Sequence, residues 1–421
     1  MIKFCFTYSS LLEGKAARSM MNKIGDLKDK NILFLQGPMG PFFKHLDTLF
    51  RKEGATTYKI GFNFGDYFYS NKDNYIPFKE SPSGWPEFIK DFLAAKKIDK
   101  IFLFGDCRYY QKITRKIAYE NAIDVYVFEE GYVRPHYITM EKFGVNGFST
   151  LPREANFYLN LEKSNSATPA HAKQSKYKMV KSAVLYYLLS NLFWYKYPQY
   201  LHHRDFSALK EFFYGIRDVW RKGLYKVAER DYEKLITHAL SKKYYFVPLQ
   251  THNDFQILQH SHYGSIEKFI IEVLESFAHH APKNHYIVFK HHPVDRGRKN
   301  YHDFIMEQAE SLGVKERILV FHDVYLPTCL QHAIGTVTIN STVGLTAIGY
   351  GIPTLTLGNA VYDIEGLTNK GTSLHRFWYH HKAPDPDLYG KFRGYLIEHT
   401  QLNGSFYGLM PKEFTDQQNI V

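Results

Sequence analysis

The sequence predicts an α/β chain of two Rossmann-like halves facing a central cleft, with a helical insertion between them. Three observations predict it. Short apolar runs alternate with helical patterns early in the chain, the same alternation returns after residue 243, and the stretch between is long, basic, tyrosine-rich and helical in pattern. Strands alternating with helices imply a parallel sheet, and 421 residues exceed what one hydrophobic core usually covers. The expected division is 1–150 as a first Rossmann-like domain, 151–243 as the connecting region, 244–382 as a second Rossmann-like domain, and 383–421 as a terminal helical segment packing back on the first.

In the first half, residues 31–36 (NILFLQ) read as a strand ending in a glycine turn, Gly37-Pro38-Met39-Gly40-Pro41, with a helix through Phe43, Leu46 and Phe50. Strand 57–62, helix 85–96, strand 100–104, helix 108–121 and strand 125–128 follow, the last running into Glu129-Glu130-Gly131. In the second half the expected strands are 244–249, 285–290, 318–321, 336–339 and 354–357, separated by helices at 265–279, 301–312, 326–332 and 343–350. Residues 162–176 read as a polar loop, and the apolar stretch 182–195 reads as a buried helix or one lying in a membrane headgroup region. That stretch is too short to span a bilayer.

A hydrophobic share of 44% and a charged share of 23% exclude wholesale disorder. With 33 Tyr, 33 Phe and a formal charge of +11, the surface attracts nucleic acid, an anionic membrane or a phosphate-bearing substrate. No RNP-like strand, helix-turn-helix or zinc module appears, so nucleic acid is not an expected partner. Cys5, Cys107 and Cys329 form no CxxC pair, and the N-terminus has no apolar signal-peptide core, so a reducing cytoplasm is expected.

Ligands of open parallel sheets sit beyond the carboxyl ends of the strands. Four such ends in the second half carry polar clusters: Gln250 to Asp254, Lys290-His291-His292-Pro293, Asn340-Ser341-Thr342 with Gly344, and Gly358-Asn359. Ser341, Thr342 and Gly344 open a helix whose backbone N–H groups suit a phosphate, and the same residues also suit an ordinary N-cap. Lys290, His291 and His292 would set positive charge and imidazole donors beside that phosphate, with Pro293 stiffening the turn. Glu129, Glu130 and Asp254 are the candidate catalytic carboxylates, able to stabilise an oxocarbenium-like centre, attack it, or take an acceptor proton. Arg134, His136 and Tyr137 suit an anionic acceptor, with the turn at Gly37, Pro38 and Gly40 shaping its surroundings. The one clear DxD, Asp385-Pro386-Asp387, reads as a helix start, so no metal or other cofactor is expected.

At LQGPMGPFF (35–43), EEGYVRPHYIT (129–139), VPLQTHNDFQI (247–257), KHHPVDRG (290–297), INSTVGLTAIGYGIPTLTLG (339–358) and YDIEGLT (362–368), the chain resembles the capsular polysaccharide β-Kdo transferases of the KpsS/LipB type. The resemblance implies a glycosyltransferase of the GT-B-like form that moves Kdo from CMP-β-Kdo, with retention, onto a phosphatidylglycerol-type lipid, initiating the linker of capsular polysaccharide. It implies work at the cytoplasmic face of the inner membrane, beside other capsule biosynthesis or export proteins. On this resemblance Lys290, His292, Ser341 and Thr342 neutralise the CMP phosphate, and Glu130 and Asp254 share the roles of nucleophile and acid/base, with Glu129 in reserve. The related polymerising enzymes have Asp where this chain has Glu130. Two rivals stay open: another CMP- or UDP-sugar transferase or epimerase-like enzyme, and a non-enzymatic basic export component that docks on the membrane.

Overall fold

The computed structural model describes residues 23–162, 171–172, 174–201, 208–252, 257 and 261–414. The chain divides into two compact units. The first holds residues up to Thr150, those between Asn165 and Ala208, and those from Leu396 onward; the second holds Leu151–Ser164 and Leu209–Tyr395. The stretch expected as one connecting region is shared between the units, 165–208 going to the first and both 151–164 and 209–243 to the second, with its two long helices in different units.

Strands β1 (Asn31–Phe34), β2 (Thr56–Gly61), β3 (Tyr75–Pro77), β4 (Lys100–Phe104), β5 (Asp124–Glu130) and β6 (Tyr137–Lys142) lie in the first unit. Strands β7 (Tyr244–Pro248), β8 (Tyr286–Lys290), β9 (Ile318–Phe321), β10 (Gly335–Thr338) and β11 (Thr354–Thr356) form the second, and β12 (Gln401–Asn403) returns to the first sheet. The first sheet runs β12-β6-β5-β4-β1-β2-β3, parallel except for its antiparallel end β5-β6-β12; the second runs β11-β10-β7-β8-β9, wholly parallel. Counted from its own first strand, each core has the order 3-2-1-4-5, the doubly wound arrangement in which the chain reverses direction across the sheet between its first and fourth strands.

Both faces of each sheet are buried, so the strands read as continuous apolar runs. In the first unit Ile32, Phe34, Phe102, Tyr126 and Phe128 pack under the helix Phe42–Lys52. The alternate residues Leu33, Ile101, Leu103, Val125 and Val127 pack against Trp85, Ile89 and Tyr110. In the second unit Tyr245, Val247, Ile287 and Phe289 meet the helix Ile266–His280, whereas Tyr244, Phe246 and Val288 meet Ile236, Leu330 and Ala347. Each fully buried aromatic side chain contributes about 2–3 kcal/mol of transfer free energy.

Three elements differ from the sequence reading. Residues 137–139, expected in a strand-end loop, begin β6, and the expected terminal helix Pro386–Thr400 delivers β12 to pair with it, Gln401 opposite Thr139. The apolar stretch 182–195 lies mostly in the helix Lys176–Leu192, yet Val184, Leu188 and Leu192 are exposed, so it is not a buried helix. The polar segment 162–176 falls largely outside the described residues. Among the described residues no helix is long and apolar enough to cross a membrane.

Candidate functional site

The switch point of the second sheet lies between β7 and β10. Gln250 follows β7 and Asn340 follows β10. Gln250 Nε2 donates to Asn340 Oδ1 at 3.0 Å, and the Asn340 N–H donates back to Gln250 Oε1 at 3.4 Å. Gln250 is buried, so this amide pair forms the floor at the carboxyl end of the sheet rather than a flexible rim.

Above that floor the helix Thr342–Gly349 starts at Ser341, whose Oγ accepts from the Val343 N–H at 3.2 Å. Ser341 is thus an N-cap, and Ser341 and Thr342 are half-buried at a helix N-terminus, where the backbone dipole favours an anion. Gly344 has a different reason to be small. A Cβ there would stand 2.2 Å from the Tyr362 hydroxyl and 2.7 Å from its ring, and that hydroxyl donates to the Ser341 carbonyl from beneath the helix. Glycine lets a wholly buried tyrosine prop the N-terminal turn.

The cluster after β8 is arranged otherwise than expected. Lys290 continues the Tyr286 and Val288 side of its strand, and its Nζ donates to the His322 carbonyl at 2.6 Å. Burial lowers its pKa, with Cys329, Glu229 and Asp323 opposing. Lys290 therefore ties β8 to the segment after β9 instead of facing a phosphate. His291 is buried too: its Nε2 accepts from the Tyr301 N–H at 3.3 Å, its ring stacks 4.5 Å from His322, and burial, with His322 and Lys290 adding, pushes it down to about 3. It is a neutral core imidazole. His292 and Pro293 do reach the surface, at the start of a 3₁₀ turn in which His292 Nδ1 accepts from the Val294 N–H at 3.2 Å.

That turn places Asp295, 1% exposed, against His252. The two Asp295 oxygens accept from the His252 N–H at 2.8 Å and meet its Nδ1 at 2.7 Å. A carboxylate on Nδ1 selects the tautomer that leaves Nε2 open. His252, two residues beyond Gln250, thus presents one oriented ring nitrogen at the strand end. Asp254 lies outside the described residues.

In the first unit the strand ends gather a second set of groups. Gln36, two residues past β1 as Gln250 is past β7, is buried, donates to Asp66, Tyr186 and Tyr200, and accepts from Arg108 Nη1 at 3.4 Å. Glu129 continues the Val125 and Val127 side of β5 towards Gly105 and Arg108, whereas Glu130 continues the Tyr126 and Phe128 side and accepts from Gln174 Nε2 at 2.8 Å. Consecutive strand residues point to opposite faces, so the two acids are not interchangeable. Burial pushes the Glu129 carboxyl up to about 7, with Glu130 and Asp106 adding and the Glu130 N–H and Arg108 opposing. Charge from Glu130 in turn helps burial hold the Tyr407 hydroxyl far above its usual value.

The acceptor candidates divide. Arg134 is exposed, its Nε donating to the Gly131 carbonyl at 3.3 Å, and His136 is half-buried with its ring edge-on to His171 at 5.1 Å. Tyr137 is buried in β6, so its expected place on an open surface is corrected by the antiparallel strand that sequence did not reveal. Pro38 and Gly40 are buried, and a Cβ on Gly37 would sit 2.7 Å from Phe43, so that turn packs the first helix onto the sheet. Asp385 Oδ1 accepts from the Asp387 and Leu388 N–H groups at 2.8 and 3.1 Å, as a helix start does. Asp295, Arg108, Gln36 and Tyr362 were missed by sequence reasoning; the position of Gln36 and Arg108 just after strands was the available signal, while Asp295 and Tyr362 act through contacts no spacing announces.

A family profile described as "Capsule polysaccharide biosynthesis protein" matches residues 99–407. The chain is 40% identical to the capsule polysaccharide export protein KpsS of Escherichia coli over 90% of its own length and 98% of the relative's. It is also 40% identical to the capsule polysaccharide modification protein LipB of Neisseria meningitidis, covering 90% and 92%. Among solved structures it resembles the KpsC β-Kdo 2,7 transferase of Thermosulfurimonas dismutans at 16% identity, with a TM-score of 0.44 over 92% of this chain and 96% of that one.

Proposed function

The chain belongs to the capsule polysaccharide biosynthesis protein family, and on that premise we propose that it is a glycosyltransferase moving Kdo from CMP-β-Kdo to a phosphatidylglycerol-type lipid. The product would be the first sugar of the linker that carries capsular polysaccharide, made by a chain peripherally bound to the cytoplasmic face of the inner membrane. The observation that carries the reading is the switch point of the second sheet. A rigid Gln250–Asn340 floor and the Ser341-capped helix together suit a single phosphate on a nucleotide without a cation, with an oriented His252 beside them.

In this reading Ser341, Thr342 and their helix N-terminus take the CMP phosphate, with His292 Nε2 supplying a further donor and His252 Nε2 open to accept a proton, as the C–O bond to phosphate breaks. Retention requires two displacements or a front-face route, and Glu130 and Asp254 are the carboxylates assigned to it. Glu129 is suited to proton transfer, since a carboxyl held at about 7 is both a competent acid and a competent base near neutrality. No metal is assigned.

Incubation with CMP-Kdo, CMP-sialic acid or UDP-sugars and a fluorescent phosphatidylglycerol, with product mass read by mass spectrometry, tests the proposal. Kdo addition is expected from CMP-Kdo alone, lost in Glu130→Gln and Asp254→Asn while CMP still binds. Turnover of a UDP-sugar only, or full activity in both variants, would overturn it.

A further inference from the structure

We propose that the helix Lys176–Leu192, with Trp194 and Tyr195 after it, is a docking face for an anionic lipid surface. A helix on a globular unit ordinarily buries its apolar stripe and shows its polar one. This helix instead leaves an apolar row open, although Met179 packs inward on the core. Its inward face is held by polar contacts: Tyr186, wholly enclosed, donates to Asp66 Oδ1 at 3.0 Å, and Ser190 Oγ donates to Asn63 Oδ1 and accepts from the Gly65 N–H, each at 3.0 to 3.3 Å. Gly65 allows the close approach, since a Cβ there would lie 2.6 Å from the Tyr186 ring.

The outward face is apolar. Tyr177, Val180, Val184, Leu188 and Leu192, spaced three or four residues apart, form one row with exposures from 55% to 75%. Trp194 and Tyr195 are equally open, and indole and phenol rings are suited to the boundary between headgroups and acyl chains.

Charge decides the occupant. Between Glu162 and Asp205 there is no acidic residue, and the exposed Lys176, Lys178, Lys181 and Lys196 flank the apolar row. A second copy of the chain using the same patch would bring these lysines against themselves, whereas anionic headgroups neutralise them. At 17 residues with lysines inside it, the helix does not span a bilayer, so it lies along the interface. The helix Ala208–Ala228 carries a second exposed row, Ile216, Trp220, Leu224 and Val227, with Lys222 and Lys226.

The inference rests on the lipid-acceptor reading above, and its test is separable from it. The full-length chain is co-sedimented with vesicles of phosphatidylcholine alone or containing phosphatidylglycerol, beside Val184→Gln/Leu188→Gln and Lys178→Glu/Lys181→Glu, with circular dichroism melting as the fold control. The wild-type chain is expected to prefer the phosphatidylglycerol vesicles, and each folded double variant to lose at least about tenfold in partitioning. Transfer onto a water-soluble short-chain acceptor should be unchanged in the variants. Folded variants that bind vesicles as the wild type does, or that lose only self-association in sedimentation velocity, would overturn the docking face. A vesicle difference without transfer by any form would leave the docking face standing and remove the enzymatic reading.

Discussion

Gln250 and Asn340 hold each other across the switch point of the second sheet, the amide of one donating at 3.0 Å to the amide of the other. They stand two residues beyond the first and fourth strands of that sheet, the place where the chain reverses its direction of winding. Removing one member takes a hydrogen-bond partner from the other next to the turn proposed to hold the phosphate. Gln250→Ala is expected to cost about 1–3 kcal/mol of stability and to weaken CMP binding by roughly tenfold, measured by chemical denaturation and isothermal titration calorimetry. An unchanged CMP affinity would detach this floor from the donor site.

His252 owes its orientation to Asp295, which is almost wholly enclosed. Asp295→Asn replaces an acceptor of two hydrogen bonds with an amide that satisfies them only in part. The expected result is a fall of about 10- to 100-fold in kcat, with a smaller change in the KM for CMP-Kdo and an altered pH–rate profile. His252→Ala should show the same kcat loss, and the double variant should add little to it.

Glu129 carries a carboxyl raised from 4.5 to about 7. For a group raised on folding, its contribution to stability is fully present below the unfolded value and is lost as pH climbs through the folded one. The wild-type chain should therefore lose stability between about pH 4.5 and pH 7 in a way that Glu129→Gln does not, read as the difference in melting temperature between pH 5 and pH 8. Activity limited by this proton should show an apparent pKa near 7 that disappears in the variant.

Lys290 separates a structural from a ligand-binding role. Lys290→Met removes its donation to the His322 carbonyl and is expected to destabilise the fold by about 1–3 kcal/mol, while CMP affinity of the folded protein changes less than twofold. A selective loss of CMP binding at unchanged stability would return Lys290 to the phosphate.

Gly344 and Tyr362 form a second coupled pair. Gly344→Ala is expected to cost about 1–3 kcal/mol because its Cβ would displace the tyrosine. The Gly344→Ala/Tyr362→Ala double variant should be less destabilised than the sum of the singles in a denaturation cycle, since the clash vanishes with the ring.

Much of the fold was legible because buried parallel strands announce themselves as short apolar runs: the expected 318–321 is β9, and 285–290 differs from β8 by one residue. β3 and β12 are three residues each, with no run to detect. β6 was hidden for another reason: YITMEK becomes a strand by pairing antiparallel with β5 on one side and with β12 on the other, whose Gln401 lies more than two hundred and fifty residues away, and neither pairing shows as a local apolar run. Ser341 was legible as a helix start because capping is a local event.

The sequence by itself determined two α/β halves, the polar clusters at their strand ends, and a basic, tyrosine-rich stretch between them, since hydrophobic period and capping chemistry act within a few residues. Tertiary structure alone decided which way the side chains in those clusters face. Lys290 turns inward because the His322 carbonyl waits there, Glu129 and Glu130 part to opposite sides because β5 is pleated, and the helix Lys176–Leu192 turns its apolar row outward because Asn63, Gly65 and Asp66 hold its polar one. The inward turn of Lys290 and the outward row of the helix depend on partners brought together from distant parts of the chain, and no local pattern encodes them.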